Sequence, residues 1–522
     1  MKLKKISLAV ASALAVGAAG QASAITLNNY TGATVNVFTA GATAQDGLIR
    51  AYMRLVCSNT VDEFQASITQ PAATIGGNIY ANTNPVLQSA YFCTISGTKI
   101  PALGGKTLLL RKSSGDSGEG VYVLHNVTGS TPAINYFGTP TAVATTVNPT
   151  GASNFTCATS ASTAAGGGLQ AIQQWSCTAF PTVSTATVGG FADVEPGLLN
   201  SLLVPQLSSE LGHLKTYNTA SQLWGIATTK NLRNALQKVQ GWTVGSDNED
   251  QMPSLSQTLV SGILSGNIGT WDLLTDKNNA FDSITSTAGV TAPSSLDVFL
   301  VRRPDSSGTM ASIRSIFLNF PCGPGTQDIP TDNTGGTCGA DPGGLSVNVQ
   351  QGTSGLLGCL KTLHGAGKWG IGFASTSNRP AATLGDVGGA NDANWRWIKV
   401  DGVSPTLLNG ATGRYKLQTE GTLSYRNDGV GPTGDAKTFI DTVGAGLGTT
   451  DVLGPVNTGG AGNQAYAAIP WQAGALVPAS ATSPTPDYAN INTKPQSALT
   501  RSFNSANSCQ PEIVFGTPTP IN

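Results

Sequence analysis

The stretch Asp297-Val298-Phe299-Leu300-Val301-Arg302-Arg303-Pro304-Asp305-Ser306-Ser307-Gly308-Thr309-Met310 sets an arginine, small hydroxyl residues and a glycine where an apolar strand gives way to a helix. The first turn of a helix carries unpaired N–H groups and the positive end of the helix dipole, so it favours an anion. Ser307 and Thr309 add hydroxyl donors, and Gly308 lets the backbone approach a ligand closely. Arg303 adds a planar fork that matches the oxygens of a tetrahedral oxyanion. Asp305, two residues on, is expected to clamp that guanidinium and aim it. Ser, Gly and Thr also cap helices for structural reasons alone, so the run reads equally as a capped helix beside a surface ion pair.

Such a turn needs a strand before it and a helix after it. Residues 296–301 are an apolar, β-branched run, and 310–320 carry helical periodicity. The same pattern recurs at 223–228 followed by Lys230–Val239, where Leu232, Leu236 and Val239 fall at helical spacing. Repeated strand–helix units predict an α/β protein with largely parallel sheets. At 522 residues a single core is not expected, and two or more lobes are. Other stretches, about 126–190, 322–352 and 427–522, are poor in charge and rich in turns. They read as surface insertions and a wandering C-terminal segment stapled by cysteines, with a small separate binding module within 126–190 as the alternative.

The chain opens with Lys2, Lys4 and Lys5, an apolar run over 6–19 and the small residues Ala22-Ser23-Ala24. This is the pattern of an export signal cleaved after Ala24, and no cysteine stands there to take a lipid. No later segment approaches the ~20 apolar residues of a membrane span. The mature protein is therefore expected to be periplasmic or secreted. Its eight cysteines (Cys57, Cys93, Cys157, Cys177, Cys322, Cys338, Cys359, Cys509) suit an oxidising compartment and read as structural disulfides, with Cys322–Cys338 the pairing that proximity suggests. None forms a C-x-x-C pair, and the three histidines (His125, His213, His364) lie far apart, so no metal site or cofactor is expected. Charged residues make up only 11% of the chain and the net charge is −1, which offers no basic field for nucleic acid or lipid.

The Arg-x-Asp-x-Ser-Gly-Thr run resembles the signature of the periplasmic phosphate-binding proteins of ABC transporters. Other segments match in the same order: Thr39-Ala40-Gly41-Ala42-Thr43 is similar to the family's T-G-A-G-A-T turn, and Gly115–Val121 loosely to its G-S-S-G-G-V turn. Phe191-Ala192-Asp193-Val194-Glu195-Pro196 resembles its A-S-D-A-P element, Ile263–Trp271 its I-F-x-G-x-I-x-x-W helix-turn, and Gly367–Phe373 its G-x-I-G-Y strand. The stretch 397–425 resembles its closing segment. The resemblance covers half to two-thirds of the chain. It implies the type II periplasmic binding protein fold, enlarged by disulfide-stapled loop insertions: two α/β lobes, a hinge of crossing strands and a ligand between them. Lobe 1 would comprise 25–222 and 375–522, and lobe 2 would comprise 223–374.

By the same resemblance, Thr43, Ser117, Asp193, Arg303, Ser307, Gly308 and Thr309 would bind phosphate, with Asp305 orienting Arg303. Asp193 would be an acceptor pointing into an anion site, which suits an oxyanion that keeps a proton and repels sulfate. An ABC permease would be the partner. This chain departs from the family where Ala44 replaces the usual aromatic, and where Asp116 and Glu119 replace small residues. A cell-surface or adhesion protein that keeps the fold, and a secreted phosphatase-like protein, are the alternatives. No G-x-S-x-G elbow or supported Ser/His/Asp set favours an enzyme.

Overall fold

The computed structural model describes residues 32–70, 73–75, 78–80, 85–125, 133–139, 143–145, 155–203, 211–276, 279–284, 290–380, 391–459, 474–480, 484–501, 509 and 512–514. The export-signal segment 1–24 lies outside them, as do parts of the 126–190 insertion and of the C-terminal segment.

Two α/β lobes share one long strand, Leu214–Thr229. Its first part pairs antiparallel with Gln418–Arg426 in the first lobe, and from Trp224 on it pairs with Gly370–Ser375 in the second. This strand and the chain passing from Leu417 into Gln418–Arg426 are the crossing hinge. In the first lobe the sheet runs Gln418–Arg426, Gly189–Ala192, Val35–Gly41, Thr107–Ser114, Val86–Thr94, Val61–Ile68, and then out to the Phe155–Thr163/Ile172–Ala179 hairpin. In the second lobe Ser346–Val349, Phe299–Arg302 and Gly370–Ser375 lie side by side and parallel, followed by the hinge strand and Trp395–Val400.

The sheets are mixed rather than largely parallel. Parallel pairing joins Val35–Gly41 to Thr107–Ser114 and Gly189–Ala192 in the first sheet, and Phe299–Arg302 to Ser346–Val349 and Gly370–Ser375 in the second. Further parallel pairs are Val61–Ile68 with Ile172–Ala179, Val143–Thr145 with Phe155–Thr163, and Ser254–Leu255 with Trp395–Val400. The Phe155–Thr163/Ile172–Ala179 hairpin is antiparallel within itself and joins the first sheet by a parallel pairing of Ile172–Ala179 with Val61–Ile68.

Helix Asp46–Val56 shows how the elements are written in the sequence. Leu48, Ile49, Tyr52, Met53 and Val56 recur on one stripe and are all buried against the first sheet. Gly434–Gly446 and Thr450–Asn457 add Phe439, Val443 and Leu453 to the same core. The stretch from 427 on is thus not simply a wandering tail. Its first part is core-forming, because apolar residues at helical spacing outweigh a low charge. The second core gathers Trp224, Trp271, Leu300, Ile313 and Ile371, and also Ile398, Leu407, Tyr415 and Leu417. The second core thus draws on residues beyond 374 as far as Leu417, and Trp395–Val400 pairs with the second-lobe half of the hinge strand.

All eight cysteines are bridged: Cys57–Cys93, Cys157–Cys177, Cys322–Cys509 and Cys338–Cys359. The expected Cys322–Cys338 pair is corrected. Cys338 lies 5.6 Å (Cα–Cα) from Cys359 on helix Gly352–Gly365, while Cys322 follows helix Gly308–Leu318 and meets Cys509 at 5.3 Å. No described helix is long and apolar enough to cross a membrane, and no three His, Cys, Asp or Glu among the described residues gather as a metal-binding group.

Candidate functional site

The parallel strands of both lobes point their C-terminal ends at one cleft, the place where open α/β sheets bind ligands. Val35–Gly41 delivers Thr43, Thr107–Ser114 delivers Asp116 and Ser117, and Gly189–Ala192 delivers Asp193. From the other lobe Phe299–Arg302 delivers Arg303 and Ser307, Ser346–Val349 delivers Thr353, and Gly370–Ser375 ends at Ser375 itself. The cavity between them measures about 240 Å³. Every residue expected to bind the anion lines it: Thr43, Ser117, Asp193, Arg303, and Ser307-Gly308-Thr309.

The local structure accounts for this placement. Ser307 is the N-cap of helix Gly308–Leu318, accepting the Met310 N–H at 3.4 Å, so the free N–H groups of the first turn face the cleft. Gly308 must be glycine. A Cβ there would overlap the Ser117 hydroxyl and sit 2.8 Å from the Asp193 Cβ. The Ser117 hydroxyl accepts the Asp193 N–H at 3.0 Å, and Thr419 on the hinge donates to the Asp193 carbonyl at 3.1 Å. The Asp193 turn is therefore held from both sides. Thr43 begins the turn Thr43–Gln45 that runs into helix Asp46–Val56, and it is the exposed member of the set, at the rim.

The lobes touch directly at this point. The Gly118 N–H donates to the Ser306 carbonyl at 2.8 Å, and the Ser306 hydroxyl donates to Asp116. Asp116 also accepts the Glu119 N–H at 2.9 Å, capping helix Ser117–Tyr122. Ala311 of the second lobe packs among Val121, Val194 and Leu198 of the first. This is a closed arrangement.

Buried charge dominates the electrostatics. Burial pushes Asp193 up to about 6, with the Ser117 hydroxyl, Arg303 and Lys112 pulling against it and Asp116 adding to it. One of its oxygens, Oδ1, is buried without a hydrogen-bond partner. Burial likewise raises Asp116 and lifts Glu119 to about 7. It lowers Arg303, which Asp116 and Asp193 oppose by stabilising the cation. Asp116, Asp193 and Arg303 are the charged residues among those lining the cavity.

One expected role is corrected. Asp305 does not orient Arg303: its carboxylate pairs with Arg302 and with Arg314, at 2.6 Å for the latter. The reason is strand alternation. Arg302 and Arg303 leave Phe299–Arg302 on opposite sides, and Asp305 lies on the side of Arg302 and of the helix carrying Arg314. Arg303 instead donates to the Thr353 hydroxyl at 3.2 Å.

Several site residues were not singled out from the sequence. Thr353 follows the strand Ser346–Val349 as Gln351-Gly352-Thr353, the strand–glycine–hydroxyl pattern already seen at 308–309, and was legible on that ground. Lys112 is fully buried, pairs with Asp46 at 2.6 Å and donates to the Gly41 and Ala42 carbonyls at 3.2 Å, pinning the turn that presents Thr43. A lysine closing an apolar strand was its only signal. Gln222, Ser377 and Asn378 reach the cavity through the hinge, and no local pattern marks them.

No family model matches the chain, and no curated protein does. Among solved structures it is similar to a proposed phosphate ABC transporter substrate-binding protein of Clostridium perfringens, solved with bound phosphate. That alignment has 18% identity, covers 52% of this chain and 77% of the other, and has a TM-score of 0.32. An ABC-type phosphate transport receptor of Vibrio cholerae aligns at 17% identity over 49% of this chain and 74% of its own length, with a TM-score of 0.28.

Proposed function

We propose that this chain is an exported solute-binding protein that takes inorganic phosphate, as an anion still carrying a proton, between its lobes. The observation that carries the reading is a buried acceptor beside buried donors: Asp193 Oδ1 has no partner, while Arg303 and the Ser307–Thr309 turn line the same cavity. An unpaired buried carboxylate oxygen costs about 1–3 kcal/mol or more unless a ligand supplies a donor. A protonated oxyanion supplies it. Sulfate, which has no proton near neutral pH, would leave the acceptor unpaired against a negative charge.

Binding needs no covalent step. The Arg303 fork and the first-turn N–H groups neutralise the anion, the hydroxyls of Thr43, Ser117, Ser307 and Thr309 donate to its remaining oxygens, and Asp193 accepts its proton. Because donors come from both lobes, the ligand stabilises the closed arrangement, which is what an ABC permease would engage. The basic and apolar N-terminal segment supports delivery to the periplasm or the cell exterior.

Calorimetry of protein stripped of bound ligand tests this. At pH 8, where Asp193 is ionised, phosphate and arsenate should release heat with a 1:1 stoichiometry, and sulfate should bind markedly more weakly. Equal heats for phosphate and sulfate, or none for phosphate, would sink the proposal.

A further inference from the structure

The cavity is larger than phosphate needs. A five-atom oxyanion fills roughly twice the ~30 Å³ share of a water molecule, whereas the cavity measures about 240 Å³. Its charged lining residues, Asp116, Asp193 and Arg303, come from the strand ends that form the anion cradle. The remaining wall comes from other elements and carries no charge. Leu48 on the first helix, Val456 on helix Thr450–Asn457 and Ala475 on strand Ala475–Leu476 are apolar, while Gln222 and Asn378 are neutral and polar. Ala44, next to Thr43, contributes only a methyl group.

Leu48, Val456 and Ala475 are themselves buried and belong to the first-lobe core. This part of the wall is therefore fixed by packing, and it offers apolar contact to whatever is attached to the anion. A charged attachment would find no partner among these residues. A second anionic group would also meet the two buried carboxylates.

We propose that this site, besides inorganic phosphate, takes monosubstituted phosphoryl compounds, R–PO₃ with one proton retained and R a short uncharged group. The phosphoryl oxygens occupy the cradle, and R lies along Leu48, Val456 and Ala475. This rests on the oxyanion reading above. Two sources share the chemistry, alkylphosphonates with a P–C bond and alkyl phosphate monoesters with a P–O–C bond. The Asp193 acceptor favours whichever of them keeps its second proton at the working pH.

The test is calorimetry of ligand-stripped full-length protein with orthophosphate, then methyl-, ethyl- and propylphosphonate, then methyl and ethyl phosphate. The expected result is binding of at least one substituted series no weaker than orthophosphate, rising about fourfold for each methylene that reaches the apolar wall. The series that rises names the source. In Val456→Phe, which fills that wall, the propylphosphonate constant should weaken at least tenfold more than the orthophosphate constant. If orthophosphate binds and every substituted compound is a hundredfold weaker, this inference is wrong while the oxyanion reading stands. If no compound binds, both fail. The ligand series itself needs no variant, so a misfolded Val456→Phe does not remove the test.

Discussion

Replacing Asp193 by asparagine separates the electrostatic argument from simple shape. Burial lifts this carboxyl from 3.8 to about 6. In the unfolded chain it ionises above its ordinary value, whereas in the folded, ligand-free protein it holds its proton until about pH 6. The folded state is therefore penalised as pH rises. The penalty is absent below about pH 4, grows between the two values and is complete above pH 6. At about 1.4 kcal/mol per pH unit, that gap amounts to about 3 kcal/mol at pH 8. Asparagine cannot ionise and removes it, so ligand-free Asp193→Asn should resist denaturant better than the parent at pH 8 and show no gain at pH 4. The same variant offers an amide donor where the parent has an acceptor. Its preference for phosphate over sulfate should fall by roughly 5- to 150-fold, the range spanned by 1–3 kcal/mol for an unpaired buried acceptor. Denaturation of stripped protein at pH 4, 6 and 8, with sulfate and phosphate titrations alongside, reads both effects. Equal destabilisation at every pH, or unchanged discrimination, would refute the placement of an ionised acceptor in the cradle.

Sulfate should bind the parent protein only through the protonated form of Asp193, so its affinity should fall about tenfold per pH unit above pH 6; a flat profile between pH 5 and 8 would contradict this. Gly308→Ala should fold but weaken phosphate binding at least a hundredfold, because the added methyl lies 2.8 Å from the Asp193 Cβ across the lobe contact; unaltered affinity by calorimetry would show that closure does not require that approach. Asp305→Asn should lower stability by about 1 kcal/mol, as for a half-exposed partner of two arginines, and shift phosphate affinity less than threefold, whereas a large loss of binding would restore Asp305 to the site. Removing the Cys322–Cys509 bridge, which spans 187 residues, should cost up to about 5 kcal/mol by loop closure, read as a fall in thermal midpoint against the parent.

Arg303, Ser307, Gly308 and Thr309 were readable from sequence because their chemistry is local. A strand, a tight turn and a helix start lie within fourteen residues, and helix N-termini attract anions wherever they occur. Thr43, Ser117 and Asp193 were legible only through a likeness of motifs, since each stands alone on its own loop and nothing in its neighbourhood says that the loops converge. Strand alternation decided the fate of Asp305. Two residues from Arg303 is close in sequence, but the pleat sends Arg302 and Arg303 to opposite sides, so the carboxylate went to Arg302 and Arg314.

By itself, then, the sequence determined the strand–helix units, the anion-seeking turn and the even set of cysteines, because these follow from periodicity, capping and composition over short spans. Only the tertiary structure decided which cysteines pair, how far along the chain the second core draws its residues and which groups face the ligand. Lys112, Thr353 and Val456 are set by contacts between residues tens to hundreds of positions apart. So are the depth of Asp193 and the room left beside Ala44, and burial of that kind has no local signature.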